Sequence, residues 1–367
     1  MIISDYILII IWLGIVGLIQ MFGRFYREEK IFSVWKKRTI PLFAFIAILP
    51  IIWLAANRGT IMDTYMYLIG FRQMPSSLSE IINYIPTVKK DKGFTVLSII
   101  IKATFGSNEI VYLLILAGIQ GFALWVVYRK YSESYLLSLF LFMASTDFMS
   151  WMCNGLRQFM AVTVIFSVTT LMLKKKYFPV IAVILLASTF HGTAILMIPC
   201  VFIAQGKAWN KRTLLFTAMV LLTVAYVDQF TNILDSALYD TQYANVVSDW
   251  TGWNDDGTNP LRVLVYSLPT IIAVVGRKYI QYEDDPIINF CVNMSVISTG
   301  LYLISMVTSG IFIGRLPIYA SLYNYILLPW EINHFFTESS AKAVKLLVIV
   351  FYLAFYYFQM HFVWGYI

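Results

Sequence analysis

The chain has 367 residues, 59% of them hydrophobic and 17% aromatic, with only 13% charged and a formal net charge of +7. Soluble domains are not built this way, and repeated apolar runs long enough to cross a ~30 Å hydrocarbon core leave no room for a large soluble one. The positive charge does not mark a nucleic-acid groove either, because the basic residues cluster in short loops between apolar runs, the pattern of positive-inside orientation.

The expected fold is an all-α polytopic integral membrane protein, a single domain over residues 1–367, with about ten to twelve transmembrane or re-entrant helices. The first run, 6–22, has no basic residues before it and charges after it, so it reads as a retained helix and not as a cleaved signal. Further runs follow at 40–56, 109–127, 135–151, 157–173, 178–204, 213–228, 261–276, 287–307, 313–330 and 344–362. Basic loops at 23–38, 128–130, 174–176, 277–278 and 207–212 are then cytoplasmic. If both 174–176 and 207–212 face inward, the segment 178–204 must enter and return. It contains a polar break, "STFHGT", with His191 and Gly192. A re-entrant hairpin is tolerated at membrane depth where protein or water lines it. The alternative is a single pass with 207–212 outside.

Two extracytoplasmic segments are long. The first, 57–107, is amphipathic enough to lie partly in the interface. The second, 229–260, carries Asp235, Asp240, Asp249, Asp255 and Asp256 without Lys or Arg, together with Tyr239, Tyr243, Trp250 and Trp253. Aromatic faces stack on sugar rings and carboxylates accept hydroxyl hydrogen bonds, so Tyr239, Trp250 and Trp253 are candidate sugar contacts. "WNDDGTNP" lacks the complete EF-hand pattern, and no metal is assigned. Cys153, Cys200 and Cys291 have neither disulfide nor metal spacing and read as packing residues.

The chemistry-bearing stretch is "WMCNGLRQFMAV", residues 151–162. Asn154, Arg157 and Gln158 are spaced three and four apart and can share one helix face. Arg157 lies ~25 Å above the lysines at 174–176, and His191, on the far side of that turn, rises to ~22 Å. The two can meet in the outer leaflet. Taken singly, the arginine could snorkel to the headgroups and the histidine could be hydrogen-bonded packing. Ionisable groups inside membrane segments are nonetheless functional candidates by default. Arg315 and Arg58 fall at the same outer level, and guanidinium groups bind phosphate oxygens bidentately. Asp63, five residues after Arg58, is either its salt-bridge partner or part of the site.

In chain order, "NRGTIMDTY", "DKGF", "NGLRQFMAV", "LLASTFHGTAIL" and "GRLPIYASLYNYILLP" resemble the EpsG-like family of Wzy-type polysaccharide polymerases, over about residues 57–330. In "DKGF" Asp91 stands where a glutamate is more usual. The resemblance implies a fold like that of the lipid-dependent (GT-C-like) membrane glycosyltransferases. It further implies a bacterial plasma-membrane enzyme, without cofactor or metal, that works on the extracytoplasmic side by an inverting transfer. The glycan moves from undecaprenyl pyrophosphate to the non-reducing end of a lipid-linked repeat unit. Partners would be that lipid-linked oligosaccharide, the bilayer, and a flippase and chain-length regulator of the same pathway. On this reading Arg157 and Arg315, assisted by Arg58, stabilise the leaving pyrophosphate, and Asn154 and Gln158 support them. His191 is the first candidate base and Asp63 the second. An O-antigen-ligase-like transferase, an acyltransferase acting on surface glycans, and a flippase of the lipid-linked unit are the competing functions.

Overall fold

A computed structural model describes residues 3–239 and 257–365. The chain is an all-α polytopic membrane protein, with one two-stranded hairpin the only sheet among the described residues. In chain order it runs α1 Ile3–Phe22, β1 Tyr26–Ile31, β2 Val34–Thr39, α2 Pro41–Ala56, α3 Thr64–Gln73, α4 Ile81–Tyr84, α5 Lys92–Phe105 and α6 Glu109–Tyr131. Next come α7 Tyr135–Ala144, a π-helical stretch Phe148–Asn154, α8 Leu156–Ser167, α9 Thr169–Leu173, α10 Tyr177–Phe190 and α11 Met197–Ala204. After these lie α12 Lys211–Ala225, α13 Val227–Leu238, α14 Pro260–Val275, α15 Arg277–Glu283, α16 Pro286–Met306, α17 Ile318–Ser321, α18 Asn324–Phe335 and α19 Glu338–Phe358.

Four of these helical segments are long and apolar enough to cross a membrane, or up to seven if each bent pair counts as one span. Other apolar helices, such as α2, α8 and α10, are shorter. Caps fix many of the starts. Asn108 accepts from the backbone of Ile110 and Val111 at α6, Asn210 caps α12, and Asp285 precedes Pro286 at α16.

The described residues form two compact units. The first comprises Met1–Leu171, Lys176–Ile195 and Ile332–Ile367. Its hairpin replaces the basic loop expected at 23–38, because the two strands carry complementary charge. Glu28 pairs with Lys37 and Glu29 with Lys36 across the ladder. Glu29 also takes a bidentate fork from Arg129 at 2.6 and 3.1 Å. Buried Arg38 donates to the Lys130 carbonyl, at the carbonyl-rich end of α6, at 2.7 Å. Pro41 then starts α2 directly after the hairpin. The last stretch of the chain is pinned at Glu133, which accepts from Asn333 at 3.0 Å and lies 2.9 Å from His334 Nε2.

Side-chain pairs set the direction of α6 against α8. Tyr112 and Leu116 cluster with Leu156 and Met160, Tyr128 meets Phe166, and Tyr131 bonds Thr170. The two helices are therefore parallel, running from an end near Arg157 to the basic hairpin end.

The second unit comprises Met172–Lys175 and Leu196–Glu331. Asn289 and Asn293 of α16 accept from the backbone of Ala208 and Trp209, Lys207 pairs with Asp284 at 2.9 Å, and Arg277 lies over the Trp209 ring. The basic stretches 207–212 and 277–278 thus share one end of this unit. Gln205 donates to the Met172 carbonyl at 3.0 Å, so the chain that leaves at Lys176 is back beside its start at Gln205. Along the chain His191 follows α10 and precedes the short turn Gly192–Leu196. At the other end of α16, Ser305 bonds the backbone and the hydroxyl of Thr258. Helix α13 bends 104° from α12 and lays Phe230 and Leu234 on a cluster of Val220, Ile304 and Ile313.

The Arg129 fork holds the Glu29 carboxyl below the ordinary carboxylate range. A depressed carboxylate contributes stability above its unfolded value and loses it as pH falls through the folded one. Glu29→Gln is expected to lower stability at pH 7 by about 1 kcal/mol. Thermal unfolding in detergent should show that difference vanishing in acid, below the carboxylate range.

Candidate functional site

The site lies in the first unit, where three segments present polar groups to one another. Asp91 is the residue before α5 and adopts a left-handed backbone, φ 56°. Such a turn costs about 1 kcal/mol and is tolerated best by Asn and Asp. It leaves the carboxylate buried, with its side chain only 4% exposed. Arg157, in the first turn of α8, reaches one oxygen of that carboxylate at 2.7 Å. His191, immediately after α10, places Nδ1 3.7 Å from the other. That contact is electrostatic and too long for a hydrogen bond, and buried Nδ1 has no hydrogen-bond partner.

The three residues differ in access. The side chain of Arg157 is 33% exposed and that of His191 23%. Arg157 also lies over the Tyr67 ring at 5.8 Å, and Tyr67 in turn meets Phe94. Beneath them Phe71, Phe94, Tyr112, Leu156 and Met160 form a core, with Phe71 stacked on Tyr112 at 4.0 Å. Lys102 of α5 is buried and donates to the carbonyls of Phe71, Arg72 and Met74 at 3.0, 2.7 and 2.5 Å. It closes the C-terminal end of α3 and ties that helix to α5, the element that carries Asp91.

Helix α10 comes unusually close to α5. A Cβ on Gly93 would lie 2.0 Å from Thr189 Oγ1 and 2.7 Å from its Cβ. Only glycine allows the approach that brings His191 to Asp91.

Arg58 is not placed as a phosphate ligand. It is fully buried, donating from Nη1 to the carbonyls of Ala55 at 3.0 Å and Met152 at 2.8 Å, and from Nε to Thr64 at 2.9 Å. It straps the 57–64 segment to the π-helical stretch, with help from Thr64, which donates to the Cys153 carbonyl. Asp63 is not its ion-pair partner in this geometry. Its backbone N–H donates to Asn154 Oδ1 at 3.3 Å, and its side chain is exposed, within electrostatic range of Arg157.

Asn154, Arg157 and Gln158 do not share one helical face. Asn154 ends the π-helical stretch, Gly155 breaks the run, and α8 begins only at Leu156. Gln158 is buried. Arg315 belongs to the second unit, in a short turn Ile313–Arg315 at the end opposite Lys207–Arg212, where Gly314 packs on Thr258. It is exposed. Tyr239 is exposed at the end of α13, whereas Trp250 and Trp253 lie outside the described residues. Among the described residues no three His, Cys, Asp or Glu side chains gather into a metal-binding group.

Asp91 and Tyr67 were not singled out for the site from the sequence. "KKDKGF" has the look of a solvated charge run, and only its place in the family pattern marked it.

This is a polytopic α-helical membrane protein with an ion-paired polar site at one end of its first unit. The sequence profile of the EpsG family matches residues 41–365, and the chain belongs to that family. The family places it among membrane polysaccharide polymerases. No curated protein and no solved structure matches the chain.

Two substitutions separate structure from site. Arg58→Lys cannot reach the Ala55 and Met152 carbonyls together, and should lower stability by about 2–4 kcal/mol, visible as a falling Tm in detergent. Gly93→Ala pushes α10 away from α5. It should leave a folded protein whose turnover falls at least about tenfold, the cost of an ångström-scale misplacement.

Proposed function

We propose that the chain polymerises a bacterial surface polysaccharide at the outer face of the plasma membrane. It transfers the growing glycan from undecaprenyl pyrophosphate to the non-reducing end of a lipid-linked repeat unit. The observation that carries this reading is Asp91, bridging a partly open Arg157 and a partly open His191 at the end of the first unit away from the basic hairpin. Positive-inside orientation then puts the hairpin in the cytoplasm and the site outside.

The chemistry is a substitution at the anomeric carbon. An acceptor hydroxyl forms the new C–O bond, the bond to pyrophosphate breaks, and the hydroxyl proton passes to a base. Negative charge develops on the leaving pyrophosphate, and a preorganised guanidinium in a low-dielectric site stabilises it. Arg157 has that role. Asp91 is buried and already engaged by Arg157, whereas His191 offers a partly exposed imidazole to take the proton. The carboxylate instead faces Nδ1, favouring the tautomer that leaves Nε2 to take the proton, and it steadies the imidazolium that results. Asp63, exposed across from Arg157, is the second candidate. The energy of the reaction resides in the donor lipid, so no nucleotide sugar or other cofactor enters. A flippase that delivers the repeat unit and a chain-length regulator are the expected partners, and inversion at the anomeric carbon is the expected outcome of a single displacement.

The test is a gel of lipid-linked glycan made by purified protein from synthetic undecaprenyl-pyrophosphate repeat units. Wild type should give a ladder. Arg157→Ala and His191→Ala should fall by about 10²–10⁴ to single repeats while remaining folded, and Asp91→Asn should fall with them. A ladder unchanged in all three variants would remove this site, and no ladder from the native repeat would point to ligation, acylation or export instead.

A further inference from the structure

Parallel helices α6 and α8 leave a groove of about 490 Å³ on the side of the first unit, between Gly118, Ile119 and Phe122 on one helix and Thr163, Val164 and Ser167 on the other. We infer that this groove holds the first isoprene units of the donor's polyprenyl chain while Arg157 holds its pyrophosphate. The identity of that lipid rests on the polymerase reading above, whereas the groove's character as a hydrocarbon site does not.

Position is the first argument. Val164 is seven residues after Arg157 on the same helix, so its side chain lies on nearly the same face about 10 Å further along. Ile115 and Val164 line the groove and also pack on the core beneath Tyr67 and Arg157. The groove and the charged site are therefore continuous through shared walls.

Chemistry is the second argument. The only hydroxyls lining the groove are already satisfied within their own helix. Thr163 donates to the Phe159 carbonyl at 2.8 Å, and Ser167 to the Val164 carbonyl at 2.7 Å. What remains facing a ligand is apolar, with Ile119 and Phe122 exposed at its rim. A groove without free donors or acceptors suits a hydrocarbon chain and offers nothing to a sugar.

Size is the third. At roughly 30 Å³ for a group the size of a water molecule, the groove takes about sixteen carbon groups, close to three isoprene units. It cannot hold a whole undecaprenyl chain, so the rest would continue into the bilayer. A head group fixed at Arg157 and a chain fixed along α8 would orient the anomeric carbon toward His191, which lies across Asp91 from that arginine.

Gly118 supplies a clean test, because a Cβ there meets nothing within 4 Å. A large side chain fills the groove without displacing a neighbour, and replacing a helical glycine does not weaken the helix. Gly118→Leu and Gly118→Phe proteins would be compared with wild type in two assays. The first measures photo-crosslinking of an undecaprenyl pyrophosphate bearing a diazirine in its third isoprene unit, with no acceptor present. The second measures turnover of glycan donors built on undecaprenyl pyrophosphate and on methyl pyrophosphate, which has no isoprene chain to enter the groove. The expected result is crosslinking of wild type to the 115–123 and 163–167 peptides, lost on filling the groove. KM for the undecaprenyl donor should rise about tenfold with kcat unchanged, while the methyl donor is unaffected. Crosslinks elsewhere, no crosslinks at all, or equal effects on both donors would overturn the groove. Crosslinking as expected without any turnover by wild type would leave the groove standing and sink the polymerase reading instead.

Discussion

A guanidinium in an apolar helix persists only if a counter-charge and fixed geometry replace the water it has lost, and the Arg157–Asp91 contact at 2.7 Å meets that requirement here. Much of the first unit is arranged around it. Asp91 must be presented from a left-handed turn at the start of α5, and α5 must be held, which Lys102 does through the end of α3. Helix α10 must come close, which Gly93 permits. Removing one partner of a buried ion pair commonly costs about 3–5 kcal/mol. Arg157 keeps a third of its side chain exposed, which reduces that figure and leaves a face available to a ligand.

Two arginines of the same unit illustrate how the structure divides structural from chemical charge. Arg58 and Arg157 both follow apolar stretches, and from sequence both sit at the outer level. Arg58 has carbonyls from two segments within reach and gives its donors to them, so it braces the chain from 57 to 64. Arg157 has one carboxylate and an aromatic face. A fully buried guanidinium that braces two backbone segments cannot bind phosphate without breaking the fold, whereas a partly exposed one paired with a carboxylate can exchange or share it. The residue type is the same in the two cases, and the neighbours differ.

That explains what was legible in the sequence. Hydropathy gave the membrane class, since burying backbone in hydrocarbon allows few solutions besides helices. That Arg157 and His191 could meet followed from 1.5 Å per residue, and they converge on Asp91. The hairpin at 26–39 was missed because hydropathy reports only that a loop is polar, while the pairing of Glu28 and Glu29 with Lys36 and Lys37 lies across strands. Asp91 was missed for a related reason. Its neighbours in sequence are lysines, which read as solvent, and its neighbours in space come from α8 and α10. The face shared by Asn154, Arg157 and Gln158 failed because it assumed one continuous helix through Gly155, where the π-helical stretch ends instead.

The break at His191 can be understood in the same terms. A helix continued through residue 191 would hide the imidazole in a regular wall and carry the chain past the site. Ending α10 at Phe190 frees the backbone, and His191 takes an extended conformation before the short turn Gly192–Leu196. Freed backbone groups at membrane depth are costly unless protein or water receives them. Some are received locally, by the bonds from His191 N–H to Ala187 and from Ala194 N–H to the His191 carbonyl. The imidazole Nδ1 is left without a hydrogen bond, 3.7 Å from a carboxylate already engaged by Arg157. A buried polar atom without a partner is unfavourable, and the carboxylate beside it is placed to attract positive charge developing on the ring. A reaction that delivers a proton to the far nitrogen of the ring supplies that charge, so the discomfort of the resting site is relieved along the reaction it is proposed to serve.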